Sequence, residues 1–252
     1  MKSVFITGAS SGIGEALAYI YARQKFIIGL TSRREEMLNN VAKKCSILGG
    51  TPFVYQLDVK NRKDCEKIAN KFLVDARQIN IVIANAGIGG DDGLYKGSSK
   101  DINNIINTNI LGVTNILMPF IPTMKDQRSG SLVCISSVAS FLPLPYHGGY
   151  SSSKVAIRMI FDSWRPTLQR YNISTTTICP GFIDTPMVKG AARNFPMKSV
   201  DDAAKSFFKA INKKYNTYIY PWTYIPLLWI IKLIPSKFYN YIIKKLFSRP
   251  IT

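Results

Sequence analysis

Tyr150 and Lys154 have the residue types and the spacing for acid–base chemistry. They lie four residues apart at the start of a segment with helical periodicity, and residues at i and i+4 share one face of a helix. A free tyrosine has a pKa of about 10 and is a poor base at neutral pH. A neighbouring ammonium favours the phenolate and moves that pKa towards the working range. The pair therefore predicts a phenol that exchanges protons with a substrate oxygen.

A second candidate site is a glycine-rich turn, Thr7-Gly8-Ala9-Ser10-Ser11-Gly12-Ile13-Gly14, between an apolar run of strand length and a helix-periodic segment. Glycines allow a tight turn and a close approach of backbone to a pyrophosphate, and a helix N-terminus attracts its charge. The hydroxyls of Ser10 and Ser11 add donors. The alternative is a loop that needs glycine torsions alone. The position between strand and helix favours dinucleotide binding.

The end of the second apolar run reads Thr31-Ser32-Arg33-Arg34, with no acid before Glu35. Dinucleotide folds that prefer NAD usually place Asp or Glu here, on the ribose 2′-hydroxyl. A guanidinium instead suits a 2′-phosphate through charge-assisted hydrogen bonds. We therefore predict NADPH over NADH, with Arg33 as the main ligand and Ser32 assisting. A solvated arginine at the start of a helix remains the alternative, with more weight for Arg34 than for Arg33.

Strand-length apolar runs alternate with helix-periodic segments, which indicates βαβ units. The predicted strands are Val4–Thr7, Phe26–Thr31, Pro52–Leu57, Asn80–Ala84, Ser131–Ile135, Ser174–Cys179 and Tyr218–Tyr220. The predicted helices are Gly12–Gln24, Glu35–Lys44, Arg62–Asp75, Asp101–Met124, Tyr150–Tyr171 and Val200–Lys213. The fold class is α/β, a single-domain Rossmann-type doubly wound parallel sheet of about seven strands over residues 1–252. Its chemistry should lie in the loops at the carboxyl ends of the strands.

Seven motifs in order make the chain resemble the short-chain dehydrogenase/reductase family from about residue 3 to residue 187. Each motif alone is weak, and their common order and context are specific. They are the glycine-rich turn, Asp58-Val59, Asn85-Ala86-Gly87, Asn109, Ser136-Ser137, Tyr150-x-x-x-Lys154, and Pro180-Gly181 followed by Asp184-Thr185-Pro186.

The resemblance implies a catalytic role for four positions. Tyr150 would protonate a carbonyl oxygen during reduction, or deprotonate an alcohol during oxidation. Ser137, which precedes Tyr150 by the family's usual interval, would polarise the same oxygen. Lys154 would hold the nicotinamide ribose and lower the pKa of the tyrosine. Asn109 would place a water that links Lys154 to solvent, although a purely structural role for it is nearly as well supported.

The resemblance also implies cofactor contacts beyond the glycine turn. Asp58 would read the adenine amino group with Val59 packing beside it, and Asn85 and Gly87 would stabilise the sheet and leave room for the adenosine ribose. The loop after the sixth strand would fix the nicotinamide carboxamide and the pyrophosphate. The full predicted cofactor-binding set is Gly8, Ser10, Ser11, Gly12, Ile13, Gly14, Ser32, Arg33, Asp58, Val59, Asn85, Ala86, Gly87, Tyr150, Lys154, Pro180, Ile183 and Thr185.

Composition limits the other classes of function. The four cysteines are scattered and the single histidine is His147, so we predict no metal site and no histidine-based triad. Scattered thiols favour a reducing compartment, and we expect a cytoplasmic protein. The net charge of +18 admits nucleic acid as a partner, but no recognised module supports that reading. His147 is equally compatible with a pocket contact and with an exposed loop.

The last third of the chain departs from the resemblance. Residues 187–213 are expected to form a variable substrate lid, with Met187–Lys198 as its flap. Residues 222–252 are expected to form an amphipathic extension of two short helices broken at Pro235, with Ser236 as a cap. Nine basic residues and no acidic residue occur from residue 203 onward. The extension could pack on the core, form a homo-oligomer (dimer or tetramer), or contact a membrane surface peripherally.

The sequence thus predicts an NADP(H)-dependent oxidoreductase that transfers hydride between nicotinamide and a carbonyl or secondary alcohol, with an apolar ketone or aldehyde as the preferred substrate. The alternative is a catalytically idle dinucleotide-binding scaffold or redox sensor. The complete Asn109, Ser137, Tyr150 and Lys154 set argues against that alternative.

Overall fold

Seven parallel strands form one central sheet in the order β3-β2-β1-β4-β5-β6-β7. The computed structural model describes residues 1–188, 196–235, 237–239 and 241. The strands are β1 (Ser3–Thr7), β2 (Ile27–Ser32), β3 (Thr51–Gln56), β4 (Ile81–Ala84), β5 (Gly130–Ile135), β6 (Ile173–Pro180) and β7 (Thr217–Tyr220). The order reverses direction between β1 and β4, and a ligand crevice is expected at that switch, beyond the carboxyl ends of the strands.

Helices cover both faces of the sheet, as parallel connections require. They are α1 (Gly12–Arg23), α2 (Glu35–Ile47), α3 (Arg62–Ala76), α4 (Lys100–Ile106), α5 (Gly112–Leu117), α6 (Ile121–Asp126), α7 (Gly148–Gln169), α8 (Val200–Asn212) and α9 (Tyr224–Leu233). A π-helical turn, Asn107–Leu111, joins α4 to α5, and a 3₁₀ turn, Met118–Phe120, joins α5 to α6.

Two apolar clusters hold the layers together, one on each face of the sheet. Along β1, Val4 and Ile6 belong to the cluster under α1, α2 and α8, while Phe5 points into the cluster under α3, α5 and α7. All three side chains are fully buried. A strand buried on both faces is apolar at successive positions, which is why these strands lack a polar–apolar alternation.

The α4–α6 run is the part of the described chain long and apolar enough to cross a membrane by length and composition (Lys100–Asp126). In this fold it is a core helix, because Ile116, Leu117 and Phe120 are fully buried against the sheet.

The predicted fold class is confirmed, and the predicted elements lie within three residues of the observed ones. Helix α2 continues three residues past the predicted end, and Gly49 in the left-handed region (φ +92) follows its last residue by two positions. Helix α7 begins at Gly148, two residues before the predicted start, because a distant carboxylate caps its first N–H groups.

The C-terminal extension begins with α9, which carries apolar residues on all sides rather than on one face. It ends at Leu233, and Ile234 is extended ahead of Pro235, as a residue before proline prefers. The predicted cap Ser236 and residues 242–252, where most of the second predicted helix falls, lie outside the described residues.

Candidate active site

A cleft of about 570 Å³ opens at the carboxyl ends of β1, β2, β4, β5 and β6, within the usual size range for small-molecule sites. Most of the predicted site residues line it together. They are Gly8, Ser10, Ser11, Gly12, Ile13, Ser32, Arg33, Asp58, Val59, Asn85, Ala86, Gly87, Ser137, Tyr150, Lys154, Pro180, Ile183 and Thr185. Gly14 and Asn109 are packed behind the cleft wall and not on it.

The glycine turn has the conformation that its sequence predicts. Gly8 and Gly12 adopt positive φ angles of +64 and +61, which favour glycine. A Cβ on Gly14 would lie 2.5 Å from the Gly8 oxygen, so glycine at 14 allows the close approach of turn and helix. The Asn85 amide donates to the carbonyls of Thr7 (2.9 Å) and Gly8 (3.2 Å). Asn85 therefore holds the turn to the end of β4.

The N-terminus of α1 presents donors to an anion at the turn. Within the described residues the N-cap Ser11 makes no side-chain cap hydrogen bond, so the first N–H groups of the helix can meet a phosphate. The guanidinium of Arg34 lies over the turn, donating to the Ser10 and Ser11 hydroxyls at 2.8 Å each. This set of donors suits a pyrophosphate.

Arg34 is a site residue that the sequence analysis treated mainly as solvated. Arg33 and Arg34 both line the cleft, but Arg34 is the one that contacts the glycine turn. The Ser32 hydroxyl accepts from the Arg34 backbone N–H at 3.0 Å and thereby shapes the bend. Pairing of Thr7 with Thr31 sets the end of β2 beside the turn. That pairing brings residues 32–34 close to the turn, and the bend after Ser32 places Arg34, and not Arg33, in contact with it.

Asp58 and Val59 follow β3 at the adenosine end of the cleft. The Asp58 carboxylate accepts the Lys60 N–H at 3.0 Å and lies 3.7 Å from the Lys60 ammonium, while its side chain stays 38% exposed. Val59 packs against Gly112, where a Cβ would come within 2.6 Å of its side chain. An accessible carboxylate beside an apolar wall fits a purine amino group.

Tyr150, Ser137 and Lys154 converge at the other end of the cleft. The Ser137 hydroxyl lies close enough to the Tyr150 phenol to favour a lower pKa of that phenol. It donates to the Pro180 carbonyl at 3.5 Å and accepts the Ala139 N–H at 3.1 Å. Lys154 is buried, its Nζ donates to the Ile135 carbonyl at 2.8 Å, and it lies 5.6 Å from the centre of the Tyr150 ring. Helix α7 carries Tyr150 and Lys154, and the loop after β5 carries Ser137.

Desolvation sets the protonation states of this group. Removal from bulk water raises the pKa of the Tyr150 phenol above its ordinary value, and the Ser137 hydrogen bond acts in the opposite direction. The same effect lowers the pKa of Lys154 from 10.5 to about 8. The pKa of Tyr150 is thus raised here, contrary to the expected lowering by Lys154, whose ammonium donates to the Ile135 carbonyl. The phenol is therefore protonated at neutral pH.

Asn109 lies in the π-helical turn and is fully buried. Its side chain accepts the Ile88 N–H and donates to the Ile88 carbonyl, both at 2.9 Å, and it donates to the Ser153 hydroxyl at 3.0 Å. The amide thus ties the loop after β4 to α7, one residue before Lys154. π-turns often occur at functional sites, and here the turn brings a fully bonded amide to the back of the catalytic group.

Asp92 is a buried residue that the sequence analysis missed. Its carboxylate accepts the N–H groups of Gly148 (2.5 Å) and Gly149 (2.8 Å), the first two residues of α7. Its own N–H donates to the Tyr146 carbonyl at 2.8 Å. Beside it, Nδ1 of His147 lies 2.6 Å from the Gly90 carbonyl. The loop after β4 is therefore clamped to the start of the helix that carries Tyr150.

The predicted lid region divides into different parts. Met187 and Val188 line the cleft, and residues 189–195 lie outside the described residues. Lys198 returns to the sheet edge, where its N–H donates to the Phe182 carbonyl at 3.0 Å. Residues from Val200 onward form α8, whose Phe207 is fully buried in the core. Helix α8 is therefore a core element and not part of a lid.

The C-terminal segment contacts the rest of the protein at two places, one of them on the cleft wall. The Tyr224 ring lies against Gly181, where a Cβ would come within 2.3 Å of the ring. The Tyr239 hydroxyl donates to the Pro143 carbonyl at 2.6 Å. Gly181 lines the cleft, and Pro143 belongs to the loop between Ser137 and Tyr150. No sequence motif indicates either contact.

The cysteines are buried and unsuited to thiolate chemistry. Burial raises the pKa of Cys45 and of Cys65 to about 12, and that of Cys179 to about 11. Across the described part of the chain, no three His, Cys, Asp or Glu side chains are grouped to hold a metal ion.

Residues 2–195 match the sequence model of the short chain dehydrogenase family. The 3-oxoacyl-acyl-carrier-protein reductase FabG of Thermotoga maritima is 32% identical over 188 residues, which are 75% of this chain and 76% of the relative. The 11-beta-hydroxysteroid dehydrogenase-like 3 of Arabidopsis thaliana is 32% identical over 98% of this chain and 81% of its own length.

Solved structures share the architecture. A short-chain dehydrogenase/reductase from Burkholderia phymatum in complex with NAD superposes with a TM-score of 0.85 at 22% identity, covering 92% of each chain, and shows the fold alone. An alcohol dehydrogenase from Thermococcus sibiricus complexed with 5-hydroxy-NADP gives a TM-score of 0.78 at 28% identity, covering 87% of this chain and 94% of that chain.

Proposed function

The chain belongs to the short-chain dehydrogenase/reductase family, and from that premise we propose that it is an NADP(H)-dependent reductase of an apolar ketone or aldehyde. Membership of the family already gives the general reaction, since the family comprises oxidoreductases that act on CH–OH and C=O groups with a nicotinamide dinucleotide. The preference for NADP(H) and the apolar substrate are the parts proposed.

The cleft residues fit a dinucleotide. The donors of the glycine turn would hold the pyrophosphate, Asp58 the adenine, and the Pro180–Thr185 loop the nicotinamide end. Gly87 leaves space there, because a Cβ on it would lie 3.2 Å from the Asn109 Oδ1 and 3.5 Å from the Lys154 Nζ. The bound nicotinamide would supply the hydride.

Two arginines and no acid at the end of β2 support the choice of NADP(H). Each guanidinium can bond a 2′-phosphate bidentately, whereas a carboxylate in that place would repel it. Arg34 already lies at the phosphate turn, 2.8 Å from two serine hydroxyls. We propose Arg33 and Arg34 together as the 2′-phosphate site, with Ser32 fixing the bend between them.

Proton transfer is assigned to Tyr150, with Ser137 and Lys154 assisting. The protonated phenol of Tyr150 gives its proton to the carbonyl oxygen as the carbon is reduced, and Ser137 donates a hydrogen bond to that oxygen. Lys154 then faces the phenolate and stabilises it. Because its pKa is about 8, Lys154 is cationic at neutral pH and can also pass a proton to the phenolate.

An apolar substrate is supported by the wall next to Tyr150. A Cβ on Gly89 would lie 4.0 Å from the Tyr150 ring and 3.9 Å from the Met187 side chain, so the three residues adjoin. Pro186 and Val188 continue this wall. Apolar side chains thus form part of the pocket beside the phenol and favour a carbonyl with apolar substituents.

The observation that carries the proposal is the meeting of Ser137, Tyr150 and Lys154 in the same cleft as the glycine turn. The test is NADPH oxidation by the purified protein with a panel of ketones and aldehydes, for wild type and Tyr150→Phe. We expect turnover to fall by about 10²- to 10⁴-fold in the variant, while NADPH fluorescence titration still detects cofactor binding. Unchanged turnover in Tyr150→Phe would refute the assignment. Binding of NADPH to wild type without turnover of any carbonyl would favour the idle scaffold.

We further propose a cytoplasmic location and a homo-oligomer of two or four chains. Free buried thiols support a reducing compartment, and many family members are oligomeric. Light scattering on the purified protein measures the second point directly.

A further inference from the structure

The extension exposes apolar side chains where most proteins bury them. Trp222, Leu227, Ile230, Leu233 and Phe238, here named the C-terminal apolar surface, are between 47% and 81% exposed. Within α9, Leu227, Ile230 and Leu233 recur every three residues and so share one side of the helix. Leu228, at 4% exposure, and Tyr224 point to the other side, against the protein. An exposed apolar patch of this kind marks a contact with a partner or a membrane.

Charge distinguishes between the occupants of such a surface. Residues 222–252 contain five basic residues and no acidic residue, and no acidic residue occurs from residue 203 to the end. Two copies of this chain meeting at the surface would bring like charges together. An anionic lipid bilayer complements both features at once, because its headgroup region accepts apolar side chains and its charge attracts a segment of net positive charge.

The residue types also suit a lipid interface. Trp222 is 71% exposed and Tyr241 is 68% exposed, and Trp and Tyr concentrate at the level of lipid headgroups. Helix α9 has 10 residues, about half the length needed to cross a bilayer. It can therefore lie in the interface and cannot span it.

We propose that the C-terminal apolar surface seats this protein on an anionic lipid bilayer. The contact of Tyr224 with Gly181 fixes the segment beside the cleft wall, and Tyr239 ties it to Pro143 in the loop between Ser137 and Tyr150. A bilayer bound at this surface consequently lies next to the cleft.

The test is flotation of the full chain with vesicles of phosphatidylcholine alone and of phosphatidylcholine mixed with phosphatidylglycerol. The variant is Leu227→Ser/Ile230→Ser/Leu233→Ser. The matched control is Ile47→Ser/Val74→Ser, which removes side chains that are 85% and 78% exposed on α2 and α3. Far-UV circular dichroism and thermal melting check that all three proteins are folded.

We expect wild type and the control to float with the phosphatidylglycerol vesicles, to float less in high salt, and to show a blue shift of tryptophan fluorescence. The triple variant should bind these vesicles at least about 10-fold more weakly than wild type. Failure of wild type to float, or equal flotation of the triple variant, would overturn the proposal. A second outcome would also overturn it: light scattering shows that wild type is a dimer and the triple variant a monomer, and neither protein binds vesicles. The C-terminal apolar surface would then contact a second copy of the chain.

Discussion

The carboxylate of Asp92 accepts the N–H of Gly149 at 2.8 Å, one residue before Tyr150, the residue proposed to transfer the proton. Together with the Gly148 N–H, this carboxylate satisfies two of the donors that a helix N-terminus leaves unpaired. Asp92 is 6% exposed and lies 56 residues before Gly148 in the chain. A loop that lines one side of the cleft thereby fixes the start of the catalytic helix.

Loss of this cap should impair both stability and catalysis. We expect Asp92→Ala to lower the free energy of unfolding by about 1 to 3 kcal/mol, because a cap is lost and buried N–H groups are left unpaired. The kcat of carbonyl reduction should fall about 10-fold as Tyr150 loses its fixed position. Asp92→Asn, which keeps one acceptor oxygen, should lie between. Asp101→Asn, a change of a half-exposed carboxylate, is the control. If Asp92→Ala matched this control in stability and in kcat, the assignment would be contradicted.

Burial of Lys154 should make this residue a source of instability. Its pKa is 10.5 when unfolded and about 8 in the fold, so the folded state disfavours the ammonium by about 3 kcal/mol. We expect Lys154→Met to abolish turnover and to be more stable than wild type at pH 7 by about 1 to 3 kcal/mol, since the hydrogen bond to Ile135 offsets part of the penalty.

The pH dependence of this difference follows from the direction of the shift. Below pH 8 the ammonium is present in both states and the penalty is complete. Between pH 8 and 10.5 the folded protein loses the proton first, so wild type gains stability relative to the variant as the pH rises. Urea unfolding of both proteins at several pH values measures this. A variant less stable than wild type at pH 7, or a constant difference, would contradict the prediction.

Reversal of charge at the end of β2 should change the choice of cofactor. We expect Arg33→Asp and Arg34→Asp each to lower the ratio of kcat/KM for NADPH to that for NADH by about 10- to 100-fold, the worth of a charge-assisted hydrogen bond. Arg34→Asp should also weaken the binding of NADH, because the contacts of Arg34 with Ser10 and Ser11 are lost. Lys63→Asp, on the exposed start of α3, controls for net charge. An unchanged ratio in both arginine variants would remove the 2′-phosphate assignment.

A methyl group at residue 181 should disturb both the cleft and α9. The Cβ of Gly181→Ala would lie 2.3 Å from the Tyr224 ring, and such overpacking destabilises by about 1 to 3 kcal/mol. Tyr224→Ala in the same chain should recover part of that loss, giving a non-zero coupling energy in a double-mutant cycle of unfolding free energies. Additive effects of the two substitutions would show that the ring and the loop are independent.

Local sequence decided most of the fold and much of the site. The strands were readable because each is a run of four to eight residues rich in aliphatic, β-branched or aromatic side chains. Tyr150 and Lys154 were readable because four residues make about one helical turn. Gly8, Gly12 and Gly14 were readable because backbone conformation and close packing demand glycine there.

Contacts between distant segments could not be read in this way. Asp92 looks like any loop aspartate until β4 and α7 are in place, and Gly181 looks like any turn glycine until Tyr224 lies on it. The direction of the Tyr150 pKa shift also depends on how much water the folded cleft excludes, which no local pattern records. The arginine that reaches the phosphate turn depends on one bend after Ser32.

The contact of Gly181 with Tyr224 leaves no free space between a wall of the cleft and the last helix described. A ligand that orders the backbone at 181 must therefore also order the tyrosine, and the free energy of that ordering is shared. By thermodynamic reciprocity, a partner that binds and orders α9 raises the affinity for the ligand by the same factor by which the ligand raises the affinity for that partner. We therefore expect the affinity of this dehydrogenase for its cofactor to depend on its C-terminal helix as well.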